Sequence, residues 1–248
     1  MSLKASVPHY GARARIGLVV PSPNTVAETE FWRAAPAGVS IHTSRMPFFA
    51  AASADPLAQM EVEVPRVLAE ACTADPTVIA YGCTASSAVA EPHAKEARLA
   101  AVAERDTVTA AASILAALAH ARATRIVLLT PYPQAVNDKE RRFFAANGVE
   151  VLADESIIVD PAQQQLRNMY RVPVELLIER AVALCRAESP DAVVLSCCDM
   201  PTFDAIATIE ARTGKFVTSS NQALLWRSLR AAGIDEPIAG FGSLLESA

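Results

Sequence analysis

Pro190-Asp191-Ala192-Val193-Val194-Leu195-Ser196-Cys197 repeats, in kind and in order, the earlier stretch Pro76-Thr77-Val78-Ile79-Ala80-Tyr81-Gly82-Cys83. Each is a proline, a short apolar run with β-branched residues, a small residue and a cysteine. Such a run, opened by proline and closed by small residues, predicts a central strand of a parallel sheet. Each cysteine then lies at a strand's carboxyl end, where open α/β sheets gather loops and helix N-termini around their ligands. Thr84-Ala85-Ser86-Ser87 follows the first cysteine and Cys198-Asp199-Met200-Pro201-Thr202 the second; both offer hydroxyls and N–H groups to a helix start or a carboxylate.

A second repeat surrounds the first. Arg125-Ile126-Val127-Leu128-Leu129-Thr130-Pro131-Tyr132-Pro133-Gln134 aligns with Arg15-Ile16-Gly17-Leu18-Val19-Val20-Pro21-Ser22-Pro23-Asn24, with five of ten positions identical. Each half therefore runs from an Arg-Ile strand through a helix and a further strand to its own proline-to-cysteine stretch, which makes the chain a pseudo-symmetric duplicate. Further strands are expected at 39–46, 149–152 and 215–220. Helices are expected at 26–32, 60–72, 86–103, 106–121, 137–147, 174–187, 204–213 and 221–232, the last crossing back to the first half. Thr25, with Glu28 three residues on, forms a candidate capping box. Cys72 and Cys185 fall on helices and are expected in the core. The loop from Pro47 to Pro56, with Phe48 and Phe49, is either a flap or a plain surface loop. The polar segment from Asp160 to Val172 is expected to line the site.

Composition narrows the function. The chain has 248 residues, 52% hydrophobic and 20% charged, with a formal net charge of -5, an ordinary globular composition that gives no support for nucleic-acid binding. No run approaches a membrane span, and Met1 to Lys4 lacks a signal-peptide core, so the cytoplasm is the expected compartment. Five cysteines without a CxxC pair fit reduced thiols. His9, His42, His93 and His120 share no metal spacing, and no metal is expected.

Pro21-Ser22-Pro23-Asn24-Thr25 with Glu28-Thr29-Glu30, Gly82-Cys83-Thr84, Thr130-Pro131-Tyr132 and Ser196-Cys197, taken in that order, resemble the aspartate/glutamate racemase superfamily, in particular its maleate cis-trans isomerase and arylmalonate decarboxylase branch. The likeness spans nearly the whole chain. It implies an α/β protein of two pseudo-symmetric sub-domains, each a parallel four-stranded sheet flanked by helices, with the site in the cleft between them and no cofactor. On this chain the division falls as residues 1–105 plus 220–248 and residues 106–219. The resemblance assigns Cys83 as nucleophile and Cys197 as acid, with Asn24 and Tyr132 on the substrate carboxylates. Asn168 is the nearest candidate for a further family asparagine in a region where this chain has extra residues. Cys198 is left as packing or a bystander thiol.

Two opposed thiols suit three reactions on a small carboxylic acid. Thiolate addition, rotation and elimination would isomerise a cis double bond, as from maleate to fumarate; proton removal and return on opposite faces would racemise an amino acid; and protonation after loss of carbon dioxide would complete a decarboxylation. The last needs no cysteine at position 83. In each, Ser22, Asn24, Thr84 and Ser86 would bind a carboxylate and take up developing charge. A helix start after Cys83 predicts a lowered thiol pKa there. A two-lobed protein that only binds a small acid is the alternative outside catalysis. A homo-oligomer is compatible with the sequence, which sets no number of copies.

Overall fold

The computed structural model describes residues 8–49 and 55–247. In the first half β1 (Ala14–Pro21), α1 (Ala27–Ala34), β2 (Val39–Met46), α2 (Pro56–Cys72), β3 (Val78–Tyr81), α3 (Thr84–Ser87), α4 (Pro92–Ala103), β4 (Thr107–Thr109) and α5 (Ala110–His120) follow one another. The second half continues with β5 (Arg125–Thr130), α6 (Gln134–Ala146), β6 (Glu150–Ser156), α7 (Val174–Glu188), β7 (Ala192–Leu195), α8 (Phe203–Thr213), β8 (Phe216–Ser219) and α9 (Ser220–Ala231); a short α10 (Ser243–Glu246) ends it.

The strands form two four-stranded sheets of order β2-β1-β3-β4 and β6-β5-β7-β8, and every pairing is parallel. The duplication extends to register. Leu18 lies opposite Ala80 in the first sheet as Leu128 lies opposite Val194 in the second. In each sheet the chain leaves the first strand toward one side and returns on the other, so the crevice between the first and third strands is the topological switch point where ligands bind. Asn24 and Cys83 follow the two strands of one crevice, Tyr132 and Cys197 those of the other.

The halves exchange helices. On α5, Ile114 and Leu118 pack with Ile126 and Leu128 of the second sheet, while Arg227 of α9 reaches back to Glu96 of α4 at 2.7 Å. The return crossing expected of the last long helix is thus present. A continuous apolar cluster holds Val20, Ala27 and Phe31 of the first half together with Val193, Phe203 and Ile206 of the second. Apolar surface buried between the halves stabilises their contact by roughly 25 cal/mol per Å².

Three local expectations change. Thr107–Thr109 is a strand, not the first turn of a helix; it pairs with Ile79 to Tyr81 along the edge of the first sheet. The helix expected over 86–103 is two helices, because Pro92 lacks an N–H and restricts Glu91 to extended backbone, so the chain straightens between Ser87 and Pro92. Thr25 caps nothing with its side chain. Asn24 Oδ1 instead accepts the N–H groups of Val26 and Ala27 at 3.1 and 3.0 Å, and Glu28 pairs with Arg45. The Pro47 to Pro56 loop includes residues 50–54, which lie outside the described residues, and so does Met1 to Lys4. Among the described residues no helix is long and apolar enough to cross a membrane.

Candidate active site

One cavity opens where the two crevices face each other. Asn24, Gly82, Cys83, Thr84, Tyr132, Cys197, Cys198 and Asp199 line it together with an apolar wall of Phe48, Leu57, Leu166 and Met169. Each half contributes its cysteine and the loop after its Arg-Ile strand. Among the described residues, no lysine, arginine or histidine lines it.

Gly82 carries Cys83 close to β1. Its N–H donates to the Val19 carbonyl at 2.8 Å, and a Cβ there would stand 2.9 Å from Val20 Cγ1. Cys83 is buried at the N-cap of α3, where the Ser86 hydroxyl donates to the Cys83 carbonyl at 3.5 Å and, with the Ser86 N–H, acts to lower the thiol pKa. Burial nevertheless pushes the Cys83 thiol above its ordinary value, against those two donors and the Lys95 ammonium. The lowered pKa expected from a helix start is therefore overturned: the α3 helix is a single turn, and its field does not offset desolvation.

Cys197 stands in a different field. Burial and then the negative charge of Asp199 push its thiol well above the ordinary value, opposed by the Tyr132 hydroxyl and by the Asp199 N–H, which lies 3.3 Å from the sulfur. Behind the same sheet, burial pushes the Glu140 carboxyl up to about 8. One thiol thus feels a cation, Lys95, as well as the Glu61 carboxylate, whereas the other feels the Asp199 carboxylate and no cation among its main influences. That asymmetry suits a nucleophile at Cys83 and a proton donor at Cys197.

Asn24 is buried, and its Oδ1 is occupied by the start of α1, while Arg45 grips its carbonyl at 2.6 Å. The amide Nδ2 is left as the group that can meet a substrate oxygen. Tyr132 is held by its own N–H on Thr130 Oγ1 at 3.1 Å. Thr84 lines the cavity and donates to Ser220 Oγ at 2.7 Å. The remaining expected residues lie further back. Ser22 Oγ accepts the N–H of Phe48 and so anchors one apolar wall residue; Ser86 sits behind Cys83 against Tyr81; and the Asn168 amide donates to Asp160 at 3.1 Å. The segment expected to line the site does so through Leu166 and Met169 rather than through its polar residues.

Asp199 escaped the sequence reading. It lines the cavity, accepts the N–H of Thr25 at 2.8 Å across the two halves, and is pushed up to about 6 by burial. Its place two residues after Cys197 was the available signal. Glu30 was missed as well: it accepts the N–H groups of Thr202 and Phe203 at 2.6 and 2.8 Å and the Asn221 amide at 2.6 Å, which ties α1 to the start of α8. Glu30 and Glu140 stand the same number of residues apart as Arg15 and Arg125, so the repeat could have paired them.

Comparison with known proteins gives a consistent set of relatives. A family model described as arylmalonate decarboxylase matches residues 68–245. A maleate isomerase from Nocardia farcinica is 30% identical over 244 residues, covering 93% of this chain and 95% of its own. The solved structure of Nocardia farcinica maleate cis-trans isomerase bound to TRIS superimposes with a TM-score of 0.82 at 28% identity, covering 94% and 98% of the two chains. A variant of that isomerase, solved with a covalently bound succinylcysteine intermediate, gives 0.82 at 27% identity over the same shares.

Proposed function

The chain belongs to the arylmalonate decarboxylase family, and from that premise we propose that it is a cofactor-independent maleate cis-trans isomerase. The observation that carries the proposal is the presence of both Cys83 and Cys197 on one cavity that Asn24 and Tyr132 also line. A decarboxylase of this kind needs only the second thiol. The succinylcysteine in a related isomerase supports covalent addition to a cysteine.

In the proposed cycle, thiolate Cys83 attacks one alkene carbon of the cis diacid. An S–C bond forms, and the π pair passes into the carboxylate on the neighbouring carbon as an enediolate. The Asn24 amide and the Tyr132 hydroxyl meet the carboxylates and the growing charge. Cys197 gives its proton to the enediolate carbon, leaving a saturated adduct whose central bond rotates. Cys197 then recovers that proton, the S–C bond breaks, and the trans acid leaves with all atoms accounted for. A resting thiol at Cys197 is what its raised pKa supports.

A second reading rests on the cavity wall. Phe48, Leu57, Leu166 and Met169 favour an acid with an apolar substituent beside one carboxylate, such as an arylmalonate. Proton NMR of the purified protein with maleate, phenylmalonate, and D- and L-aspartate and glutamate tests both. Fumarate from maleate supports the first reading. Turnover of phenylmalonate alone replaces it with the second, and racemisation of an amino acid overturns both.

A further inference from the structure

Behind Cys83 lies a cluster of polar residues that are not among those lining the cavity. Tyr81 is fully buried at the end of β3, and its hydroxyl donates to Glu61 of α2 at 2.6 Å and lies 2.9 Å from Ser86 Oγ. Lys95 of α4, also buried, donates from Nζ to Glu61 Oε1 at 2.8 Å and to the Ser86 carbonyl at 2.7 Å, and stands 5.0 Å from the centre of the Tyr81 ring. The Glu61 side chain keeps 35% of its surface in solvent. Ser86, which donates to the Cys83 carbonyl at 3.5 Å and acts on its thiol, is therefore joined through Tyr81 to a carboxylate at the surface.

We propose that Ser86, Tyr81, Glu61 and Lys95 are positioning residues that withdraw the thiol proton of Cys83 and hold the resulting thiolate. The thiol proton passes to Ser86 Oγ, the serine's own proton to Tyr81 Oη, and the tyrosine's to Glu61, from which water removes it. One S–H bond is broken and one carboxyl O–H bond formed, and every hydroxyl is restored. Lys95 keeps its protons throughout and supplies the positive charge that faces the sulfur. A buried ammonium is costly unless paired. Here its partners are Glu61 and the carbonyl of the serine that touches Cys83, so its position serves the nucleophile as well as the ion pair. The ionisable groups of the second half that share the cavity with Cys83 are Tyr132, Cys197, Cys198 and Asp199, and none of them carries a positive charge. The cluster thus explains how a thiol raised by burial becomes reactive. The inference rests on Cys83 as the nucleophile and not on which acid is turned over.

The test is the pH dependence of Cys83 alkylation by iodoacetamide, followed by peptide mass mapping without substrate, in the whole protein and in Ser86→Ala, Tyr81→Phe and Lys95→Met. The half-point should rise by about one unit in Ser86→Ala and Lys95→Met, a roughly tenfold slower reaction at pH 7, and in the same direction in Tyr81→Phe. Cys185 labelling in the same samples should not change. Ser86→Ala and Tyr81→Phe each remove one oxygen and keep the packing, so they decide the matter even if Lys95→Met fails to fold. An unmoved Cys83 half-point in both overturns the proposal, whether or not maleate is turned over. A raised half-point supports it even if maleate proves not to be the substrate.

Discussion

Thr84 Oγ1 lies 3.5 Å from the Cys198 sulfur. These are equivalent residues of the two repeats, each the one after its cysteine. Their contact marks a place where the two halves meet, with Cys83 next to it in one half and Cys197 next to it in the other. Burial pushes the Cys198 thiol far up, so it stays protonated.

Cys83→Ala should therefore remove turnover, and Cys197→Ala should lower it by about 10²- to 10⁴-fold, the usual worth of a positioned acid. Cys198→Ala should retain most of it. Rates of maleate loss followed by NMR check this. A dead Cys198→Ala with an active Cys197→Ala would move the acid by one residue.

Asn24 has two duties that substitutions separate. Asn24→Ala removes the cap of α1, at about 1 kcal/mol, as well as the amide donor. Asn24→Asp keeps an oxygen for the Val26 and Ala27 N–H groups but loses Nδ2. Both should lose on the order of a hundredfold in kcat/KM, and only Asn24→Ala should melt earlier. Tyr132→Phe should resemble Asn24→Asp in rate and melting.

Asp199, raised to about 6, is neutral below that pH and anionic above it. Its charge faces both Cys197 and the substrate carboxylates, so KM for a diacid should rise as pH increases through about 6. Asp199→Asn should flatten that rise. Steady-state kinetics between pH 5 and 8 read it directly, and a pH-dependent KM that survives in Asp199→Asn would refute the assignment.

Among the described residues, buried Glu140 has no partner of good hydrogen-bond geometry for either carboxyl oxygen, and burial, opposed by the Ser196 hydroxyl, raises it to about 8. A carboxyl raised on folding contributes a stability term that is fully favourable below the unfolded value and is lost as pH climbs toward the folded one, by about 1.4 kcal/mol per unit. Glu140→Gln should therefore be more stable than the natural protein at pH 8 and no more stable at pH 5. Melting curves at the two pH values test the crossover.

What was legible in the sequence was what local pattern carries. Proline-bounded apolar runs announced the strands, and β2, at Val39–Met46, has the bounds its residues predict. The failures were places where a distant partner outweighs local preference. Thr107 to Thr109 precedes an alanine-rich helix and has no period of its own; only the open edge of β3 draws it into a strand. Thr25 has a capping residue's chemistry, yet its N–H is taken by Asp199 of the other half while Asn24 takes over the cap.

By itself the sequence determined that this chain is a duplicated α/β protein with a cysteine at the end of the third strand of each half, because a repeat and a strand period are properties of neighbouring residues. Only the tertiary structure decided what each cysteine faces. Lys95, Glu61 and Tyr81 come from three elements, and Asp199 meets Thr25 from the other half. Their charges act on the sulfurs through space, at separations that no spacing along the chain encodes.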